Sequence, residues 1–327
     1  MSALDLLKKL TTTPGVPGRE HRIRQLILGE IGYIFDEICV DPLGSIIAVK
    51  RPAPKKGKVA KDPLRVMLAA HMDQIGFLVS HIDEKGFLYL NPVGGFDTRN
   101  LFARMVTVCP DPNDPSKDLI GILNPSGKPI HVASPEERKR IPTVREFMVD
   151  LGIDKKQVEK KVKIGDMVVI NAPVHHLGDL MVSQAMDNRA ACWIAIEACR
   201  KLKNHSCEIH CVFTLQEEVG LRGATDSSHS IQPEIGIGID TPLAVACFRG
   251  HDAIARRLVR AVEPLLQRRE ALGLLQLLLH LLVLGPARDR LLEPVSYTHL
   301  RAHETREDIG FRDLGVKKKR GGGGGGG

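Results

Sequence analysis

The sequence predicts an α/β fold, in which a mixed sheet with helices is interrupted by an inserted, small, β-rich domain. Helix-like and strand-like segments alternate in residues 1–75 and again in residues 181–248. Between them, residues 76–180 contain short apolar stretches separated by Gly, Asn, Asp and Pro turns, which is typical of a mainly β domain. A continuous apolar run at residues 64–70 favours a strand covered on both faces, as in a parallel or mixed sheet.

The first α/β part contains two predicted helices and three predicted strands. Apolar residues recur at helical spacing in residues 4–10 and 22–31, and two Pro-Gly turns separate these segments. Residues 38–40 and 45–49 are predicted to be short strands joined by a turn. The apolar run at residues 64–70 is the third strand.

The later elements indicate where the β-rich domain ends. Within that domain, residues 143–161 are predicted to be helical and the remainder forms short strands. A helix at residues 187–201 and strands at residues 207–215 and 235–239 then restore the α/β pattern. Because the pattern resumes, we interpret the β-rich domain as an insertion.

Composition argues against nucleic-acid and membrane partners. The formal charge of +7 is concentrated near the end of the chain, since residues 1–249 hold 32 Lys and Arg against 30 Asp and Glu. The longest apolar stretch, residues 272–285, contains Gln276 and His280 and is too short to cross a bilayer. We therefore expect neither a nucleic acid nor a membrane as a partner.

The cysteine pattern predicts a cytoplasmic protein. Seven cysteines are scattered without CxxC spacing, and the N-terminus lacks the apolar run of an export signal. An odd number of cysteines in such a chain suits reduced thiols rather than a disulfide framework.

Four short segments carry acidic and imidazole side chains: AAHMD, MDNR, QEEVG and GIGID. The candidate site residues in them are His71, Asp73, Asp187, Glu217, Glu218 and Asp240. Three of the segments follow predicted strands, at the ends where open α/β sheets bind their ligands. The fourth opens a helix, where Asp187 would also be a good N-cap.

These residue types suit a metal centre with hydrolytic chemistry. A metal-bound His71 needs its second ring nitrogen fixed, which Asp73, two residues later, can do. Asp187 could bridge two ions ~3.5–4 Å apart, and either Glu217 or Glu218 could bind metal while the other acts as a general base. His, Asp and Glu without Cys favour zinc, cobalt or manganese.

Each segment also has a purely structural interpretation. A lone His-x-Asp is often a polar pair at a strand end, adjacent glutamates are usually solvated, and Asp187 and Asp240 could cap turns. His175 and His176 lack an acidic partner at ligand spacing and are predicted to be surface or packing residues. From the residues alone, both interpretations remain open.

Longer stretches around the four segments resemble a known family. The sequence is similar to the glutamyl aminopeptidase family of metallopeptidases (family forty-two; TET-type, or tetrahedral, aminopeptidases; older name endoglucanase M) in four ordered motifs: AAHMDQIGF, SQAMDNRAA, TLQEEVGLRGA and GIGIDTP. Further similar stretches are LTTTPGVPGRE, PVGGFDTRNLFARMVTV, GKPIHVASPEERKR and VKIGDMVVI. The resemblance covers roughly residues 3–248.

The resemblance implies a fold and an assembly. The expected fold is a mixed-sheet zinc-peptidase domain (phosphorylase/hydrolase-like) with an inserted β-rich dimerisation domain. This insertion is expected to drive assembly into homo-oligomers, often dodecamers. The implied site residues are the terminal ligands His71 and Asp240 of one metal, the bridging ligand Asp187, the second-metal ligand Glu218, the general base Glu217 and, orienting His71, Asp73.

The resemblance also implies a reaction. Two divalent ions per subunit, Zn²⁺ or Co²⁺, would assist the removal of single N-terminal residues from short peptides. Glu217 would take a proton from the attacking water and pass it to the leaving amine.

The end of the sequence departs from the family. The family completes its second metal with a histidine beyond the Asp240 motif, and nothing here matches that segment. Residues 249–294 are rich in Leu and Arg and resemble a frameshifted translation, a genuine Leu/Arg-rich helix being the alternative. Residues 295–327 resemble a translated sequencing adapter and end in seven glycines. We therefore expect this chain, as written, to aggregate and to have little activity.

Other functions remain as alternatives. Glycoside hydrolysis needs two carboxyls facing each other across a bond at ~5–9.5 Å, whereas the adjacent Glu217 and Glu218 diverge. A related di-metal deacylase would share the catalytic logic. A non-catalytic assembly or binding protein would carry a degenerate metal site.

Overall fold

A computed structural model describes residues 3–54, 59–128, 131–177 and 180–241. The predictions for residues 249–294 and 295–327 lie outside these residues. Within the described part of the chain, no helix is both long enough and apolar enough to cross a membrane.

Helices and strands alternate at the two ends of the described chain, whereas strands predominate in the middle. The α-helices are α1 (Ala3–Thr12), α2 (His21–Ile31), α3 (Pro135–Lys139), α4 (Lys155–Lys161), α5 (Met186–Lys201) and α6 (Arg222–Ile231). The strands are β1 (Glu37–Val40), β2 (Ile46–Lys50), β3 (Arg65–His71), β4 (Gly76–Ile82), β5 (Leu88–Val93), β6 (Arg104–Cys109), β7 (Leu119–Pro125), β8 (Phe147–Asp150), β9 (Met167–Ile170), β10 (His175–Leu177), β11 (Leu180–Val182), β12 (Glu208–Thr214) and β13 (Ile235–Gly238).

The main sheet is mixed, as predicted, with the strand order β1-β2-β12-β3-β13. Strand β3 pairs in parallel with β12 on one side and with β13 on the other, while β2 runs antiparallel to β12. Because parallel strands end at the same edge, the carboxyl ends of these three strands lie side by side.

One face of this sheet is covered by α1, α2 and α5. Strand β3 is buried over most of its length, which accounts for the continuous apolar run that predicted it. The helices contribute fully buried aliphatic side chains at helical spacing, such as Ile23, Ile27 and Ile31 of α2. Small residues of α5, including Ala191 and Ala195, allow that helix to pack closely on the sheet.

Strands β4 to β9 form a closed barrel in the order β4-β5-β8-β7-β6-β9. The barrel has its own apolar core, in which Phe77 stacks on Phe96 and Phe147 is fully buried. Closure leaves no unpaired sheet edge, so six short strands can form a stable unit.

The predicted helix at residues 143–161 is wrong for its first part. Residues 147–150 form β8, with Phe147 and Val149 buried in the barrel and the last residue exposed. This period-two burial belongs to a strand, and tertiary packing in the barrel decides it. The helix α4 begins only at Lys155, after Asp154 caps its N-terminus through the backbone N–H of Gln157.

Close contacts join the barrel to the helices of the sheet. The Arg22 guanidinium of α2 donates to both carboxylate oxygens of Asp118 at 2.7 Å. At Gly76, the first residue of β4, a Cβ atom would lie 2.3 Å from Val16 and 2.9 Å from the Val168 carbonyl oxygen. Glycine is therefore required where the chain leaves the sheet for the barrel.

Two glycines in helices should respond to alanine with opposite signs. A Cβ at Gly223 of α6 would lie 2.7 Å from the backbone N and O of Leu215, so Gly223→Ala should cost about 1–3 kcal/mol of stability. A Cβ at Gly29 of α2 meets nothing within 4 Å, so Gly29→Ala should add roughly 0.5–1 kcal/mol through helix propensity. Thermal unfolding of both variants measures this, and a Tm for Gly223→Ala at or above wild type would contradict it.

Candidate metal centre

Three of the predicted site segments lie at the carboxyl ends of neighbouring parallel strands. His71 is the last residue of β3, and Glu217 and Glu218 occupy a 3₁₀ turn that follows β12. Asp240 follows β13. Because Thr214 of β12 is in register with His71, the glutamates emerge directly beside the histidine.

Asp187 reaches the same edge from the start of α5. The first turn of this helix is irregular: Asp187 and Asn188 have non-helical φ/ψ, and the peptide bond between them is cis. Ala185 precedes the first turn of α5, but the regular part of this helix begins only after Asn188, so the interpretation of Asp187 as a helix N-cap stays a prediction. The Asn188 amide donates to the Ile239 carbonyl oxygen at 2.8 Å and ties this turn to the end of β13.

The structure brings all the predicted ligands around the His71 ring. Its Nε2 atom lies 3.2 Å from Asp187 Oδ1, 3.7 Å from Glu217 Oε2 and 3.9 Å from Asp240 Oδ1. The ligand atoms form two overlapping groups, each with all members within 4.8 Å. These groups are His71 with Asp187 and Asp240, and His71 with Glu217 and Glu218.

Asp73 has a wider role than the sequence suggested. Its fully buried carboxylate accepts hydrogen bonds from the backbone N–H groups of Glu217 and Glu218, both at 3.1 Å. The same carboxylate lies 3.5 Å from His71 Nδ1, and the Asp73 carbonyl oxygen lies 3.2 Å from that nitrogen. Asp73 therefore holds the imidazole and the glutamate turn together.

The electrostatics of the cluster favour uptake of positive charge. Burial by itself lowers the pKa of His71, but hydrogen bonds to Asp187 and Asp73 raise it well above its ordinary value. Burial raises the pKa of Glu218 to about 8, and the carboxylates of Asp187 and Glu217 add to this effect. A group of carboxylates that stabilises a proton on each neighbour would also stabilise a bound cation.

One cavity touches the candidate centre, whereas a second and larger one does not. The small cavity has a volume of about 10 Å³, and its lining includes Asp187, Glu218, Gln74 and Gln184. A larger cleft of about 890 Å³ lies between the first two helices and the barrel. None of the six predicted site residues lines the larger cleft.

Other polar residues support the site without having been singled out from the sequence. Arg189 is fully buried two residues after Asp187, and the Cys192 thiol donates to the His71 carbonyl oxygen at 3.1 Å. Arg189 is the last residue of the MDNR segment, and this position near Asp187 was the only indication of its role in the sequence. His175 and His176 lie on the exposed hairpin strand β10, in agreement with the surface prediction.

Asp73→Asn should destabilise the protein more than removing an exposed carboxylate. Asn offers one acceptor oxygen to two backbone donors, so one buried N–H loses its partner, at a cost of about 1–3 kcal/mol. Asp62→Asn in an exposed loop is the matched control. Thermal unfolding of the two variants measures the difference, and equal Tm values would contradict the bridging role of Asp73.

Comparisons with known proteins identify the family of this chain. The family model for M42 glutamyl aminopeptidase matches residues 44–256. A protein of Acetivibrio thermocellus, provisionally named as an aminopeptidase, is 38% identical over 240 residues, covering 73% of this chain and 66% of the relative. The aminopeptidase APDkam598 of Desulfurococcus kamchatkensis superimposes with a TM-score of 0.65 at 31% identity, covering 73% of this chain and 63% of that structure.

A further similar structure is that of a protein that forms large assemblies. The Pyrococcus horikoshii TET1 peptidase, which can assemble into a tetrahedron or a large octahedral shell, matches with a TM-score of 0.62 and 29% identity, covering 73% of this chain and 68% of that structure. The chain spans just under two thirds of the length of the Acetivibrio and Desulfurococcus relatives. The fold, the motifs and the matched residues establish that the chain belongs to the M42 glutamyl aminopeptidase family.

Proposed function

We propose that this protein is a metal-dependent aminopeptidase that removes N-terminal residues from short peptides. The observation that carries the proposal is the meeting of three carboxylates around one imidazole. Asp187, Glu217 and Asp240 come from three different elements, yet each places an oxygen within 3.9 Å of His71 Nε2. A purely structural strand end needs no such convergence of like charges.

The donor set fits divalent metal ions. One imidazole nitrogen and several carboxylate oxygens, without a thiolate, suit Zn²⁺ or Co²⁺, and the cluster gains stability from positive charge. We assign His71 and Asp240 to one ion, Glu218 to a second and Asp187 to both. His71, Asp187 and Asp240 form one metal-capable group, which supports the assignment of these three residues to the first ion.

Side chains of this protein would supply the general base and the positioning groups of the reaction. When bound, the two ions would supply Lewis acidity toward the substrate carbonyl and the attacking water. Glu217, whose side chain is 28% exposed, would accept the water proton and deliver it to the leaving amine. Asp73 keeps the Glu217 backbone and the His71 ring in place during that transfer.

We also propose that the barrel belongs to an inserted assembly domain, residues 76–180, between the two parts of the peptidase domain at residues 1–75 and 181–248. Large apolar side chains on its strands and loops are about half exposed, among them Phe102, Met105 and Ile120. Such side chains suit contacts between subunits of a homo-oligomer. Assembly of the Pyrococcus horikoshii relative into shells is consistent with this proposal.

Buried, free thiols support a reducing compartment such as the cytoplasm. The Cys192, Cys199 and Cys211 side chains are free thiols buried in the apolar core. We propose a cytoplasmic location on this basis.

We further propose that the chain, as written, has little activity. The family resemblance implies a final histidine ligand, and His71 is the only histidine in the metal-capable groups of the described residues. Hydrolysis of aminoacyl p-nitroanilides at a typical enzyme rate of ~10 s⁻¹ would contradict low activity while supporting the proposed reaction.

Divalent metal should stabilise the full chain through His71. With Co²⁺ at 100 times its Kd, linkage predicts about 2.7 kcal/mol of added stability, seen as a rise in Tm. His71→Ala should abolish the rise, whereas His81→Ala on the exposed surface of β4 should retain it. A wild-type Tm that is unchanged by Co²⁺ and by chelator would contradict the metal site and favour a non-catalytic binding protein.

Substitutions of the two adjacent glutamates should have different effects, because Glu218 is the proposed metal ligand and Glu217 the proposed general base. Glu218→Gln should weaken Co²⁺ binding by roughly 10-fold or more, because it removes an anionic ligand. Glu217→Gln should leave binding nearly intact and lower any measurable hydrolysis at least ~100-fold, because it removes the general base. Calorimetric titration measures the binding, and a larger loss of affinity in Glu217→Gln would reverse the assignment.

A further inference from the structure

The Arg189 side chain is the largest one that is fully buried in the described protein, and it lies directly behind the candidate metal centre. Its Nη1 donates to the carbonyl oxygens of Leu10 at 2.6 Å and Thr13 at 3.0 Å, at the C-terminal end of α1. Its Nη2 donates to Gln74 Oε1 at 3.4 Å. One guanidinium therefore joins three separate segments of the chain.

These segments are the ones that carry or adjoin the metal-binding residues. Arg189 follows Asp187 by two residues, within the irregular first turn of α5. Gln74 follows Asp73 directly, and its backbone N–H donates to the Gly15 carbonyl oxygen at 3.0 Å. Gln74 also lines the small cavity to which Asp187 and Glu218 contribute. A shift of the guanidinium would therefore displace the chain next to Asp187 and the chain next to Asp73.

Arg189 keeps its positive charge although its side chain is fully buried. The three acceptors of its hydrogen bonds are neutral, and its Nε atom is buried without a hydrogen-bond partner among the described residues. Burial lowers the pKa of Arg189 to about 10, so it remains charged near neutral pH, and the carboxylates of Asp73 and Glu20 oppose the shift. Burial raises the pKa of the Cys192 thiol to about 12, so it is a neutral neighbour. Arg189 is the fixed positive charge behind Asp73.

We propose that Arg189 is a positioning residue of the metal centre: it fastens the irregular turn that carries Asp187 to the end of α1 and to Gln74. The inference rests on the proposed metal-binding function. In this role Arg189 touches neither substrate nor metal. It fixes where the Asp187 carboxylate meets His71, and its planar fork is needed because the acceptors lie on different segments.

The chain offers a matched control on the same helix. Arg200, near the C-terminal end of α5, pairs with Glu197 and donates to the Tyr33 hydroxyl at 2.8 Å. It lies 11 residues after Arg189, about 16 Å along the helix axis. Arg200→Met therefore removes the same group from the same helix, far from the site.

The test compares Arg189→Met, Arg189→Lys and Arg200→Met in the full chain, with Co²⁺ alone as the probe. Calorimetric titration should show roughly 10- to 100-fold weaker binding for Arg189→Met and unchanged binding for Arg200→Met. The visible absorption spectrum of bound Co²⁺ should change only in the Arg189 variants. Arg189→Lys, which keeps the charge, should fold and regain part of the affinity, so it decides the matter if Arg189→Met fails to fold.

Equal Co²⁺ affinity in Arg189→Lys, Arg200→Met and wild type would overturn the proposal. Hydrogen exchange gives a second measurement that needs no metal: residues 10–16 and 186–192 should exchange faster in the Arg189 variants than in Arg200→Met. Equal exchange would also overturn it. If the wild-type chain binds no Co²⁺, the proposed function fails, and the exchange comparison still decides whether Arg189 fastens these segments.

Discussion

The buried carboxylate of Asp73 is the interaction on which the candidate centre depends. It accepts the backbone N–H groups of Glu217 and Glu218 and lies 3.5 Å from the His71 ring. The histidine and the glutamates are separated by more than 140 residues, including the whole barrel. A single side chain therefore fixes their relative position, and its burial is tolerated because two backbone donors compensate the lost hydration.

The mixed sheet makes this interaction possible. Strands β12, β3 and β13 are parallel neighbours, so their carboxyl ends deliver the glutamates, His71 and Asp240 to one edge. The chain forms the barrel after β3, which ends at His71, and it rejoins the peptidase part of the fold at α5, which carries Asp187. An insertion at this place adds a second unit without breaking the register of the parallel strands.

The convergence of carboxylates has an electrostatic consequence that shapes the surrounding core. Like charges at this distance repel, and the structure places the His71 ring among them and the Arg189 guanidinium behind them. The Arg189 guanidinium is buried and hydrogen-bonded, so its position behind the cluster is fixed. These contacts support the proposal that the residues at the sheet edge act together in binding a cation.

Local patterns in the sequence determined the main architecture and the identity of the site residues. The apolar run of β3 and the helical spacing of α2 reflect burial that is already encoded by neighbouring residues. The four motifs named all six candidate side chains, because metal chemistry restricts residue type. The sequence also placed three of the four motifs after predicted strands, where open α/β sheets bind their ligands.

Tertiary structure alone decided the remaining features. Residues 147–150 became a strand because closure of the barrel offered buried positions to Phe147 and Val149, which no local pattern shows. The bonds of Asp73 to Glu217 and Glu218, and of Arg189 to Leu10, join residues far apart in sequence. Such contacts depend on where whole elements pack, so the sequence by itself determined which groups are present, and only the fold decided which of them meet.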